Sequence, residues 1–203
     1  IVYGYMNRGI HEGTVGIAVY HYDSLANTNE EQVFIPSSQS YEVMKSELGQ
    51  LMYVTESGAF YIMVDGNVYG IDLNSLDTKV LVEGLSDEAV AISESNRFLA
   101  WADPSAVRGS DTIHMIDFVT EKVTDVTGSA SDYVKPLGFM QEDFVYGVAK
   151  SADVVVDAAG NTLFPMYQVK IMDTSSEEHE ILKTYEKPGY YVQNLSLIHI
   201  SEP

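Results

Sequence analysis

The same strand ending recurs four times in this chain, and its spacing constrains the fold more than any other feature. Each copy is a run of alternating, mostly apolar residues that closes with an aspartate and a turn. The aspartates stand at positions 23, 72, 117 and 173, so consecutive copies are 49, 45 and 56 residues apart. The copies are 19–23, 68–72, 113–117 and 169–173. A strand-rich repeat of this length predicts the blades of a β-propeller.

Four strand signals recur within each repeat, and we name them A, B, C and D. Turn signals such as Asp65-Gly66-Asn67 separate them. The sequence therefore predicts an all-β fold, an incomplete β-propeller of four-stranded antiparallel blades, with three complete blades and parts of two others. The predicted strands are B 1–6, C 16–23 and D 32–35; then A 51–55, B 60–64, C 68–73 and D 79–82; then A 89–93, B 97–102, C 112–118 and D 122–126; then A 134–140, B 144–149, C 167–173 and D 180–185.

The predicted domain spans residues 1–194. Its blades occupy approximately 1–36, 50–84, 88–127 and 134–186, and a further blade starts at 189–194. One helix is predicted at 40–48, where Tyr41, Met44 and Leu48 share a face.

Two segments resemble a known group of repeats. Ile92–Trp101, with the sequence ISESNRFLAW, resembles the S-P-D-G-x-x-L-A-W/Y hairpin between strands A and B of TolB-like and WD40-like propellers. Phe60–Leu73 is similar to their D-G-x-V-Y-x-I-D segment. The chain has no Trp-Asp or Gly-His dipeptide, and Glu94-Ser95-Asn96 replaces the proline-aspartate-glycine turn. The resemblance implies the superfamily and no specific family, and such propellers host many functions.

The two ends of the sequence show signs that they are not the natural ends of a protein. Residues 195–203, LSLIHISEP, resemble the in-frame translation of a transposase sequencing adapter, so we interpret them as a non-native tail. The glycosylation signal Asn194-Leu195-Ser196 depends on that tail. The chain starts without Met, and Ile1–Gly4 resembles Phe144–Gly147 in the middle of a predicted blade. We therefore expect a segment cut at both ends from a longer protein.

Composition argues against several kinds of partner and site. The formal net charge is −19, so phosphate repulsion disfavours nucleic acid and anionic membrane surfaces. The sequence has no cysteine, which excludes disulfides, thiolate metal sites and a cysteine nucleophile in this stretch. No apolar run reaches the ~18 residues of a membrane helix. We expect no nucleic-acid partner and no membrane insertion within this segment.

Connection lengths indicate which end of the blades carries function. Strand alternation places the B–C and D–A connections at one end, and several of these are long, at 7–15, 36–50, 103–111 and 150–165. Long loops on a rigid scaffold are common binding sites. The candidate binding residues are Asn7, Arg8, His11 and Glu12 in one loop and Asp153, Asp157 and Asn161 in another. These residues would suit a ligand site or, through the oxygen atoms of the carboxylates and amides among them, a Ca²⁺ site. Ordinary turn chemistry explains them better, because the calcium-loop spacing is missing.

No catalytic residue, metal ligand or cofactor is predicted. His11-Glu12 lacks the second histidine of H-E-x-x-H, and Gly84–Glu88 lacks the final glycine of G-x-S-x-G. Paired acids such as Glu177-Glu178 are best explained as surface turns. Trp101 could form a carbohydrate platform, but its position within a strand favours the packing between blades. The aspartates that end the C strands are expected to hold backbone N–H groups at their turns.

These observations favour a non-enzymatic binding or sensor module, whose ligand is a protein, a peptide or a glycan. We expect it to be extracytoplasmic or membrane-tethered in a bacterium. The alternative is the gating propeller of a larger serine peptidase similar to prolyl oligopeptidase, with its catalytic domain outside this sequence. A third hypothesis, a lyase or glycosidase site in the central channel, would need converging acids for which no spacing argues.

Overall fold

A computed structural model of the chain describes residues 1–86, 89–106 and 108–195, and it is almost entirely β-structure. The chain forms two compact units, Ile1–Gly84 and the residues from Leu85 onward. All sheets are antiparallel, and in the main sheets strands that follow one another in the chain pair as neighbours, except where a hairpin intervenes. We describe each unit by itself.

Unit 1 contains a three-stranded sheet, blade 1, and a four-stranded sheet, blade 2, each with its strands in chain order. A short helix connects the two sheets. The elements are β1 (Val2–Tyr5), β2 (Val15–Asp23), β3 (Thr28–Pro36), α1 (Tyr41–Glu47), β4 (Met52–Val54), β5 (Ala59–Val64), β6 (Asn67–Asp72) and β7 (Thr78–Val82).

Unit 2 contains two four-stranded sheets, blades 3 and 4, and a separate two-stranded hairpin. The hairpin, β14–β15, interrupts blade 4, whose order is β12-β13-β16-β17. The strands are β8 (Val90–Ile92), β9 (Phe98–Ala102), β10 (Thr112–Asp117), β11 (Lys122–Thr127), β12 (Asp132–Met140), β13 (Asp143–Lys150), β14 (Val155–Val156), β15 (Thr162–Leu163), β16 (Met166–Met172) and β17 (Ile181–Glu186).

The predicted fold class, an all-β incomplete propeller of four-stranded antiparallel blades, is confirmed, and every predicted strand from 1 to 186 has a counterpart. The predicted helix is confirmed too, with Ser40 at its N-cap. Within the predicted start of a further blade, Val192 forms a single bridge with Met166. Of the adapter-like tail, residues 196–203 lie outside the described residues. The β14–β15 hairpin was not predicted from the sequence, because two-residue strands give no periodic signal.

The near-continuous apolar runs of the central strands explain their burial on both faces. In β5, Phe60 through Val64 are all buried, and Tyr61 is only 1% exposed. In unit 2 the ring of Phe139 lies 6.1 Å from that of Phe98 and 5.2 Å from that of Phe144. These rings form the core between blades 3 and 4. The sheets are therefore rigid supports for the loops at their ends.

The four aspartates that end the C strands hold their turns in the same way. Asp23 and Asp72 each accept two backbone N–H groups through one Oδ1, and Asp117 and Asp173 each accept one. Hydrogen bonds from the hydroxyls of Ser175 and Ser176 lower the pKa of Asp173 to about 2. The predicted architectural role of these aspartates is confirmed.

Candidate functional site

Within unit 2, the B–C and D–A connections meet at one end of the blades. Nη2 of Arg108 donates to the carbonyl of Val154 at 3.3 Å and so joins the B–C loops of blades 3 and 4. The N–H of Ser151 donates to Ser131 at 2.9 Å, and Ser110 pairs with Val134. We call residues 103–106, 108–111, 128–131 and 150–165 the loop end of unit 2.

Unit 1 has the same arrangement. The hydroxyl of Ser37, in the D–A connection, lies 2.9 and 3.0 Å from the carboxylate oxygens of Asp65 in the B–C turn of blade 2. The N–H of Ser37 donates to Val15, the first residue after the B–C loop of blade 1, at 3.0 Å. Residues 6–14, 37–51 and 65–66 form the loop end of unit 1.

The A–B and C–D connections meet at the opposite end, which we call the turn end. In unit 2, Ser95 donates to the carboxylate of Glu142 through its N–H at 3.1 Å and its hydroxyl at 2.7 Å. Thr174 donates to the Glu142 carbonyl at 2.8 Å. In unit 1 the N–H of Leu73 donates to Gly58 at 2.9 Å. The contacts within each unit therefore separate the two kinds of connection as strand alternation predicts.

The first predicted cluster does not converge on one point. His11 turns toward β3, where its Nε2 donates to Glu31 at 2.6 Å and its ring stacks on Phe34 at 3.8 Å. Glu31 also accepts the Tyr20 hydroxyl at 2.9 Å, which raises the pKa of Tyr20. His11 thus anchors the loop, while the other three predicted residues are exposed on it. Those three are Asn7, Arg8 and Glu12.

The second predicted cluster belongs to the β14–β15 hairpin. Asp157 accepts the N–H groups of Ala159 and Asn161 at 2.8 and 2.9 Å, and the side-chain amide of Asn161 at 3.0 Å. The bond from the Asn161 side chain is the largest cause of the lowered pKa of Asp157. Asp153 is exposed in the turn that leads into the hairpin. Asp157 and Asn161 therefore close a turn, and their contacts are internal to it.

Buried side chains on either side of the two short strands anchor the hairpin to blade 4. Val154 and Phe164, which flank its strands, are 0% and 7% exposed and pack with Ala149 and Met166. Its outer face carries a directly opposed pair, Val155 and Leu163, each 50% exposed. This apolar pair was not predicted from the sequence, because only the pairing of the two short strands brings its members together.

A buried polar group, also missed from the sequence, fixes the strand ends beneath these loops. The carboxylate of Asp132, 3% exposed, accepts Lys150 Nζ at 2.7 Å and the Tyr167 hydroxyl at 3.0 Å. Burial, the largest influence, raises the pKa of Asp132, but these two hydrogen bonds together lower it below its usual value. The three side chains come from β12, β13 and β16, so the group joins three strands of blade 4.

Trp101 lies in a different setting from the core position expected of it. It is half-buried, and its ring lies 5.5 Å from that of His114 on the next strand. His114 Nδ1 donates to Asp125 at 2.7 Å. The cross-strand pairing of β9, β10 and β11 accounts for this row of side chains.

Among the described residues, no group of three or more histidine, aspartate or glutamate side chains is placed to hold a metal ion. In the same part of the chain no helix is long and apolar enough to cross a membrane.

No protein family and no curated protein matches this sequence. Solved structures with a similar fold include the WD40 repeats of RRP9, at 16% identity and a TM-score of 0.36 over 71% of this chain. They also include dipeptidyl peptidase 4 of Porphyromonas gingivalis, at 12% identity and a TM-score of 0.42 over 90% of this chain. This chain covers 40% and 31% of those two chains, respectively. These likenesses concern the fold alone, and the fold class rests on the sheet topology described above.

Proposed function

We propose that this chain is a non-enzymatic binding module whose loop ends receive a protein or peptide ligand. The observation that carries the proposal is the β14–β15 hairpin, which is anchored by buried Val154 and Phe164 and leaves the apolar pair Val155 and Leu163 exposed. Burial of exposed apolar surface is a main source of affinity in protein association. The proposal includes the location expected from the sequence, extracytoplasmic or membrane-tethered in a bacterium.

The negative charge of the module indicates which kind of ligand it favours. A net charge of −19 steers cationic partners toward the protein and repels anionic ones, including nucleic acid. A protein or peptide segment with basic residues is therefore favoured over an acidic one.

Selection from a displayed random-peptide library, in parallel with a glycan array, tests this function. We expect enriched peptides with an excess of Lys and Arg, whose binding weakens when Leu163→Ser is introduced at the loop end. Leu25→Ser is the matched control, because Leu25 is an exposed leucine at the turn end of unit 1. Enrichment of glycans alone, or equal loss of binding in the control, would contradict the proposal.

Sequencing of the complete gene tests the proposed cellular location of the protein. An encoded signal sequence or membrane anchor is the expected result, and a gene product without either that stays in the cytoplasm would contradict it. A serine-hydrolase domain in the same gene would instead favour the gating propeller of a peptidase.

A further inference from the structure

The outer face of the β14–β15 hairpin has a defined chemical pattern. Val155 and Leu163 are directly opposed, and the next pair toward the tip on the same face is Asp157 and Asn161, because side chains alternate between the faces of a strand. Asp153 is exposed at the foot of the hairpin. The apolar pair is therefore flanked along the chain by one carboxylate on each side.

The charged side chains within this segment are of one sign, and the guanidinium of Arg108, from the neighbouring loop, binds the Val154 carbonyl beside them. Residues 151–165 contain two aspartates and no lysine or arginine. Three hydrogen bonds from Ala159 and Asn161 lower the pKa of Asp157 and so favour its ionised carboxylate. A complementary ligand needs an apolar group between two cations.

The backbone of the hairpin restricts how such a ligand can lie. The N–H of Asp157 donates to Asn161 at 2.9 Å, so alternation of the ladder turns the backbone groups of Val154 and Val156 away from β15. Arg108 already occupies the outward carbonyl of Val154, at 3.3 Å. Addition of a partner strand along the β14 edge is therefore obstructed, and the outer face remains for contact through side chains.

We propose that this outer face binds an extended peptide in which two arginine or lysine residues flank an apolar residue at alternate positions. In an extended chain, residues i and i+2 lie about 6.6 Å apart, which matches the spacing along β14. The apolar residue packs on Val155 and Leu163, and the cations approach Asp153 and Asp157. This inference rests on the proposed function and assigns its ligand class to one surface.

Titration of the full chain with the capped peptide GRSVSRG, followed by NMR shifts of backbone amides, tests the inference. GESVSEG and the reordered GRRSSVG are the matched probes. We expect shifts at 153–163 and at least about tenfold tighter binding of GRSVSRG than of either control peptide. Equal binding of the three peptides would overturn the inference.

Substitutions at two exposed positions of the hairpin segment, with one control substitution elsewhere, test whether the peptide binds at this surface. We expect Asp153→Lys and Leu163→Ser each to weaken GRSVSRG binding about fivefold or more, and Leu25→Ser to leave it unchanged. Wild-type affinity in both loop-end variants would overturn the inference. So would dissociation of a dimer by Leu163→Ser in gel filtration, since the occupant would then be a second copy. Library peptides that map to 6–14 instead would overturn this inference while leaving the proposed function intact.

Discussion

The turn ends of the blades repeat one structural feature, whereas the connections at their loop ends differ from one another. At the turn end, one device recurs in all four blades: an aspartate at the end of strand C accepts backbone N–H groups of the following turn. The loop-end connections differ from one another: unit 1 has a nine-residue loop held by His11 and a helix, and unit 2 has a hairpin. The repeated end carries the architecture of the blade, and the varied end is free to carry binding.

The difference has a physical basis. A tight turn must satisfy its backbone polar groups locally, and few side chains other than aspartate, asparagine and serine can do so. A long loop can satisfy its backbone in many ways, through bonds to neighbouring loops such as Arg108 to Val154. The loop end therefore tolerates varied structures, provided that the strands beneath it stay fixed.

The largest expected effect comes from removing the buried group that fixes the loop end of blade 4. We expect Asp132→Ala to lower the free energy of unfolding by about 3 kcal/mol, because two charge-assisted hydrogen bonds to a buried carboxylate are lost and Lys150 is left with the neutral Tyr167 hydroxyl at 3.3 Å in place of a carboxylate. Urea unfolding followed by circular dichroism measures it. Asp153→Ala, at an exposed position in the same unit, is the control, with an expected change below about 0.5 kcal/mol. A similar decrease in the free energy of unfolding of the control would contradict the role assigned to Asp132.

A smaller effect is expected from the ion pair at the turn end. Arg97 donates to Asp117 from Nε at 2.9 Å and from Nη2 at 2.8 Å. Arg97→Lys cannot make both bonds, so we expect a loss of about 1 kcal/mol in the same urea assay. Lys122→Ala removes an exposed contact to Glu177 at 3.7 Å and should change stability by less than about 0.3 kcal/mol. Equal effects of the two substitutions would show that the paired geometry is not important.

The helix at the loop end of unit 1 gives a still smaller effect. Ser40 accepts the N–H of Val43 at 3.4 Å as the N-cap of α1. We expect Ser40→Ala to cost about 0.5 kcal/mol, the low end for such caps because the bond is long. The control is Ser38→Ala, at an exposed position before the helix. Thermal unfolding of both variants measures the difference, and a larger loss in Ser38→Ala would contradict the capping assignment.

The smallest effect at neutral pH is expected from one aspartate of the turn end, since its carboxylate is exposed to solvent screening. The pKa of Asp173 is lowered to about 2, below its unfolded value of about 3.9, so its ionised form adds stability above pH 4. That stability is lost as the pH falls through about 2. Melting temperatures of wild type and Asp173→Asn should therefore differ at pH 6 and converge near pH 2. Parallel curves over this range would contradict the assignment.

The difference between the two ends also explains which structural features could be predicted from the sequence. The aspartate repeat and the apolar runs, such as Phe60–Val64, predicted the blades, because a period-two pattern and a local turn leave a direct mark in sequence. Asp157 and Asn161 were correctly interpreted as turn residues for the same reason. Side chains that meet only after folding left no such mark. Asp132, Lys150 and Tyr167 are separated by 18 and 17 residues, and their contact depends on the sheet register.

The most direct test of the two-end account is a map of the ligand contact surface. Peptides enriched by selection would be titrated into the full chain, and backbone amide shifts would be followed by NMR. The account predicts shifts confined to loop-end segments, above all 150–165, with the turns at 24–27, 73–77, 118–121 and 174–179 unchanged. Shifts centred on those aspartate-held turns would contradict the account, since the end that we assign to architecture would then bind the ligand.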